Sequence, residues 1–184
     1  MILYVKCCPN NNSRTDRLAK ALLSKLGEYE VIDVVEENMQ PLKAEDIVRR
    51  ESYSAAGNFS SPMFHYAKQF AFADTIVIAA PYWDDSFPAA LKIYIENVCV
   101  QGLTSEHDEF GNNVGLCHAK KLYYVTTAGG AYDQRFSFDF IDALSKNYFG
   151  IEDTELIYVE MLDLLESEAE SIVEAKCKEI METY

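Results

Sequence analysis

Five short runs rich in Val, Ile, Tyr and Thr punctuate the chain: "ILYV" (2–5), "EVIDVV" (30–35), "TIVIAA" (75–80), "LYYVTT" (122–127) and "ELIYVEM" (155–161). The first, third and fourth are apolar nearly throughout, the pattern of strands covered on both faces, as in a parallel sheet. Between and after the runs, apolar residues recur at helical spacing. They are Leu18, Leu22 and Leu26; Phe64, Ala67 and Ala71; Leu91, Ile95 and Val98; Phe138, Ile141, Leu144 and Tyr148; and Val173, Cys177, Ile180 and Tyr184. Strands alternating with helices predict an α/β fold, a doubly wound three-layer sandwich with right-handed crossovers. Residues 36–60 are polar and read as a long loop with a short helix around 44–50. No repeat or linker interrupts the pattern, so residues 1–184 are expected to form a single domain.

That order also says where to look for chemistry. In open parallel sheets, ligands bind beyond the carboxyl ends of the strands, near the point where strand order reverses. The segments that follow strands one, three and four are "KCCPNNNSRTDR", "PYWDDSFPAALK" and "TAGGAYDQ". The first enters a helix capped by Ser13, with Asp16 three residues on. Free amides, the hydroxyls of Ser13 and Thr15, and Arg14 or Arg17 make it either a phosphate seat or an ordinary capped helix start. Asp16 counts against an anion there. Having no glycine, the segment matches neither G-x-G-x-x-G nor G-x-x-x-x-G-K-[ST]. The second segment offers rings from Tyr82, Trp83 or Phe87 beside exposed amides, suited to a planar heteroaromatic ligand or to covering the sheet edge. In the third, Gly129 and Gly130 bare the backbone to a ligand or form a tight turn.

Charge removes some partners from consideration. Lys and Arg number 16 against 30 Asp and Glu, a formal net charge of −14, and no basic run exceeds a pair. Such a surface repels phosphate backbones and anionic bilayers, so neither nucleic acid nor membrane is an expected partner. The start "MILYVKCC" does not resemble a signal peptide, and no apolar segment approaches the roughly 20 residues of a membrane span, which points to a cytoplasmic protein. Five scattered cysteines without C-x-x-C argue against a disulfide framework or a zinc site, and no metal is expected.

The three segments together resemble the flavodoxin-like NAD(P)H-quinone oxidoreductases and FMN-dependent NADH-azoreductases. "AAPYWDDSFPAALKIYIENVCVQGLT" (79–104) keeps the family's proline after the third strand, an aromatic, "PxxLK" and "GLT". Gly111, Gly115, Leu116, Lys120 and Lys121 keep "GxxxGLxxxKK", while "TAGGAY" and "NSRT" look like the glycine-pair loop and the phosphate-binding helix start. The likeness runs through nearly the whole chain. It implies a five-stranded parallel sheet of order 2-1-3-4-5, bound FMN, NADH or NADPH as electron donor, a quinone-like or azo acceptor, and a homodimer. By position, Ser13, Arg14 and Thr15 would hold the FMN phosphate, with Cys8 nearby. Pro81, Tyr82, Trp83, Asp84 and Asp85 would line the isoalloxazine, and Thr127, Ala128, Gly129 and Gly130 would close its other edge. Hydride would pass through flavin N5. A one-electron carrier and a flavin-free binding module on the same fold are the alternatives.

Three positions depart from the family pattern. Asp84-Asp85 stands where Asn-Phe is usual, Ala128 where an Arg often precedes the glycines, and Ser105 where a Phe often follows "GxT". An acid at the flavin's pyrimidine edge would oppose charge gained on reduction by as much as about 4 kcal/mol at 4 Å and a dielectric near 20. His107 and His118, in the 101–120 loop, are candidate proton donors to a quinone oxygen or else surface residues.

Overall fold

The computed structural model describes residues 1–184. Its central sheet is parallel throughout and contains β1 (Ile2–Lys6), β2 (Tyr29–Asp33), β3 (Thr75–Ala79), β6 (Lys121–Thr127) and β7 (Asp153–Val159), in the spatial order β2-β1-β3-β6-β7. Counted among the parallel strands alone, this is the expected order 2-1-3-4-5. The amino ends are aligned: Ile2 pairs with Tyr29 and Thr75, Thr75 with Lys121, and Lys121 with Asp153. Since β6 and β7 are two residues longer than β1 and β3, they rise above the sheet's carboxyl edge as a back wall.

Burial explains the uneven apolarity of the five runs. The middle strands β1, β3 and β6 are the continuous ones, whereas β2 and β7 lie at the edges, where several of their residues are exposed or only half-buried. One core layer packs Leu3, Val5, Ile76, Ile78, Leu122 and Tyr124 against Phe70 of α3 (His65–Phe72), Leu91 and Tyr94 of α4 (Ala89–Val98) and Ile141 of α5 (Phe138–Leu144). The other packs Tyr4, Val77, Tyr123 and Val125 against Leu18, Leu22 and Leu23 of α1 (Arg14–Leu26) and Val173 and Ile180 of α6 (Ala169–Thr183). Period-two strands thus feed two helical layers, and the sandwich follows.

Three local expectations change. The helix in the polar stretch, α2 (Ala44–Ala55), is longer than the 44–50 expected, and it buries no residue, which is why apolar spacing could not reveal its length. The 101–120 loop contains a small antiparallel hairpin of β4 (Ser105–His107) and β5 (Asn113–Gly115). Its close fit explains Gly115: a Cβ there would lie 2.0 Å from the Gly150 nitrogen, so only glycine fits. Beyond α5 the helix widens into a π segment, Ser145–Phe149, capped by the left-handed Gly150. No helix is long and apolar enough to cross a membrane.

Candidate functional site

The loops after β1, β3, β6 and β7 converge above the sheet on a mostly polar cavity of about 840 Å³. Its floor is the amino end of α1. Asn10 accepts from the Ser13 amide at 3.1 Å through its carbonyl and from the Asn12 amide at 3.0 Å through its side chain, folding "PNNNS" into a compact turn. The Ser13 hydroxyl then accepts from the Asp16 amide at 3.2 Å, as capping requires, leaving the first helical amides, of Arg14 and Thr15, without an intrahelical acceptor. Asp16 faces inward instead of toward the cavity. It is 6% exposed, accepts from the Tyr4 hydroxyl at 2.6 Å and pairs with Lys20 at 2.7 Å, so its charge is met from within. The charge that argued against an anion here is therefore compensated. Burial and the bond to Asp16 in turn hold the Tyr4 phenol far above its ordinary range.

The middle wall extends the sheet. Ala80 donates to Val125 at 3.1 Å and Tyr82 to Thr127 at 3.0 Å, and Tyr82 bridges to Ala128, so β3 and β6 stay paired past their ends. The chain then reverses in a two-residue hairpin. Trp83 and Ser86 exchange both backbone hydrogen bonds, at 2.7 and 2.9 Å, across Asp84 and Asp85, whose φ angles are 50° and 59°. Two consecutive positive φ values mark the mirror-image turn that suits strand twist, and Asp is among the few residues that tolerate it. The acids thus have a local backbone role. Pro81, Tyr82, Trp83 and Asp84 line the cavity, whereas Asp85 turns away, 3.4 Å from the Tyr82 hydroxyl. Only Asp84 stays placed for the expected electrostatic effect. Trp83 is half exposed, but Phe87 packs into the core beside Phe140 and presents no ring to the site.

The back wall is Thr127, Ala128, Gly129 and Gly130. The Thr127 hydroxyl lies 2.6 Å from that of Thr15, both buried, tying β6 to α1. A second strand of loop runs alongside: Ala128 donates to Val159 at 2.9 Å, and Met161, Leu162 and Asp163 donate to Gly130, Ala128 and Gly129 at 2.9, 3.2 and 2.9 Å. The Asp163 carboxylate sits against Gly129 so closely that a Cβ there would meet its Oδ2 at 2.1 Å. Arg14 lies 3.3 Å from Asp163 and 3.7 Å from Glu170, and Glu170 also pairs with Arg17 at 2.5 Å. The hydrogen bond from Arg17, then its charge, lowers the Glu170 carboxyl below its ordinary range.

The structure therefore brings together Ser13, Arg14, Thr15, Pro81, Tyr82, Trp83, Asp84, Thr127, Ala128, Gly129 and Gly130 on one cavity. Cys8 lies beneath it, 3% exposed, its thiol directed at the Ala79 carbonyl and pushed up to about 11 by burial. His107 is in the β4–β5 hairpin, and His118 donates its amide to Ala71 near the sheet's amino edge, so neither borders the cavity. Pro9, Asn10, Asn12, Leu162, Asp163 and Glu170 also line it but were not singled out from the sequence. The rule that pointed to three strand ends applies equally to the fifth, and α6 packs on α1, which carries Glu170 to the rim. No group of three or more His, Cys, Asp or Glu side chains is arranged to hold a metal ion.

Residues 1–183 match the family model described as flavodoxin-like fold. An FMN-dependent NADH:quinone oxidoreductase of Coprothermobacter proteolyticus is 35% identical over 97% of this chain and 94% of its own length. A protein of the same name from Clostridium perfringens is 33% identical over 94% and 92%. Among solved structures, an azoreductase from Bacillus anthracis superimposes with a TM-score of 0.82 at 21% identity, covering 99% of this chain and 97% of that one. An FMN-dependent NADH-azoreductase from the same species, in complex with FMN, gives 0.78 at 19% identity over 99% and 96%.

Proposed function

The chain belongs to the flavodoxin-like family that includes the FMN-dependent NADH:quinone oxidoreductases, and we propose that it is a flavin-dependent enzyme passing electrons from NADH or NADPH to a quinone-like or azo acceptor. One observation supports this most. A helix amino end, an aromatic hairpin and a bare glycine pair, far apart in sequence, form the walls of a single cavity large enough for a cofactor.

The donor set suits FMN. The Arg14 and Thr15 amides with the Ser13 side chain offer a seat for the phosphate, and hydrogen bonds from a helix start hold an anion without a glycine-rich loop. The amide of Asp84 takes no part in the two bonds that close the hairpin, and those of Gly129 and Gly130 donate to no protein acceptor, leaving donors for a heteroaromatic edge. Bound there, FMN would supply the redox chemistry, carrying hydride from the nicotinamide nucleotide through N5 toward the acceptor. The protein's part is to orient both partners, with the half-exposed Trp83 offering a flat face for one of them. A homodimer belongs to the same reading. It is supported by α2, which buries nothing and exposes Ile47 and Val48, and by Phe110 and Val114 at the hairpin.

The test is anaerobic. The purified chain is expected to retain FMN, lose the flavin's visible absorbance on addition of NADH or NADPH, and regain it with a quinone. Failure to bind FMN sinks the proposal. The net charge of −14 favours, as a second reading, an electron carrier that meets basic protein partners. Two separate one-electron steps on stepwise reduction, with no direct reaction with nicotinamide nucleotides, would decide for the carrier.

A further inference from the structure

We propose that Asp163 is a competing anion built into the cavity wall, which occupies Arg14 and so limits how much more strongly the site holds FMN than uncharged riboflavin. The inference rests on the flavin reading above.

The arginines at the phosphate seat are already matched. Arg14 contacts Asp163 at 3.3 Å and Glu170 at 3.7 Å, and Arg17 contacts Glu170 at 2.5 Å, so two cations face two anions. Lys20, one turn further along α1, is held by Asp16. With Asp84 also on the wall, the cavity offers a phosphate no uncompensated positive charge, only amide and hydroxyl donors.

Asp163 is held in this position by the backbone. Its amide donates to the Gly129 carbonyl at 2.9 Å, and the missing Cβ of Gly129 is what admits the carboxylate, since a methyl group there would come within 2.1 Å of Oδ2. Gly129 thus leaves room for the carboxylate in its place beside Arg14. The Asp163 side chain is 78% exposed, so its hold on Arg14 is weak and reversible. A phosphate, carrying close to two charges and able to take a bidentate grip on a guanidinium, can displace it, but the displacement subtracts from its binding.

The experiment compares the full chain, stripped of flavin, with Asp163→Asn by fluorescence titration with FMN and with riboflavin, at low and at high NaCl. At low salt Asp163→Asn is expected to bind FMN about threefold tighter or more, with riboflavin unchanged. High salt should erase the gain, because the freed arginine acts as an exposed charge. Adding Arg14→Gln to Asp163→Asn should also remove it, since the two residues act as a pair. If riboflavin binds normally while FMN affinity is unchanged or weaker in Asp163→Asn, the inference is overturned and the flavin reading survives. If both flavins tighten equally, the effect is structural and the inference is again overturned. If neither flavin binds either protein, the flavin reading falls and takes this inference with it.

Discussion

Single residues around the cavity sit in backbone conformations that their side chains disfavour. Met161 has φ 65°, while its amide donates to Gly130 and its carbonyl accepts from Leu165, so the loop after β7 cannot turn without it. A left-handed conformation costs an ordinary L-residue roughly 1–2 kcal/mol, and glycine instead costs roughly 0.5–1 kcal/mol in lost chain freedom. Met161→Gly is therefore expected to raise the unfolding free energy by about 0.5–1 kcal/mol, read as a higher urea midpoint with an unchanged slope. An unchanged or lower midpoint would show that the half-buried thioether packs better than the strain costs. The same conformation accounts for Asp84 and Asp85. From sequence they looked only like an electrostatic departure beside a flavin, because the pairing of Trp83 with Ser86 that demands two left-handed residues is visible only once the hairpin is built.

At the scale of elements, the cap of α1 depends on β1. Tyr4 sends its hydroxyl to Asp16, which fixes the first turn of the helix that floors the site. Tyr4→Phe keeps the ring but leaves a buried carboxylate with Lys20 as its remaining side-chain partner. The expected cost is about 1–3 kcal/mol, the price of a buried polar group deprived of its donor, measured as a lower melting temperature. An unaffected melting temperature would mean that solvent replaces the hydroxyl. Elements that contribute to the core were legible before the structure. The continuous runs became β1, β3 and β6, the leucines of "RLAKALLSKL" became the inner face of α1, and the two less apolar runs turned out to be the edge strands β2 and β7. Elements that bury little were not. Helix α2 has no inward residue to give it a period, and β4 and β5 are three residues each, too short for alternation to register. The fifth run was read through Met161 but ends at Val159, because Glu160 turns to accept the Tyr132 amide and Met161 adopts positive φ.

The whole molecule holds four of its thiols and several of its phenols inside. Burial pushes the thiols of Cys7 and Cys117 up to about 12 and those of Cys8 and Cys99 to about 11, from an ordinary 9.0. It likewise raises the fully buried phenols of Tyr94 and Tyr124 well above their ordinary 10.0. In each case the cause is desolvation of the charged form, so the unfolded chain releases these protons before the folded one does. The sign follows from linkage: groups whose folded value is raised contribute their full stability below the unfolded value and lose it as pH rises through the folded one. Stability should thus be nearly flat from pH 7 to about 9 and fall continuously between about 9 and 12, as thiols and then phenols ionise in the unfolded state. Urea midpoints across that range, taken under reducing conditions so that thiol oxidation does not intrude, provide the measurement. A midpoint that stayed level to pH 11 would mean that the thiols and phenols are reached by solvent in the native fold. The same burial has a chemical consequence at neutral pH. Cys8 packs beneath the cavity floor with α1 and Cys7 in the opposite core layer, yet as protonated, enclosed thiols both should react with alkylating reagents only when the fold opens.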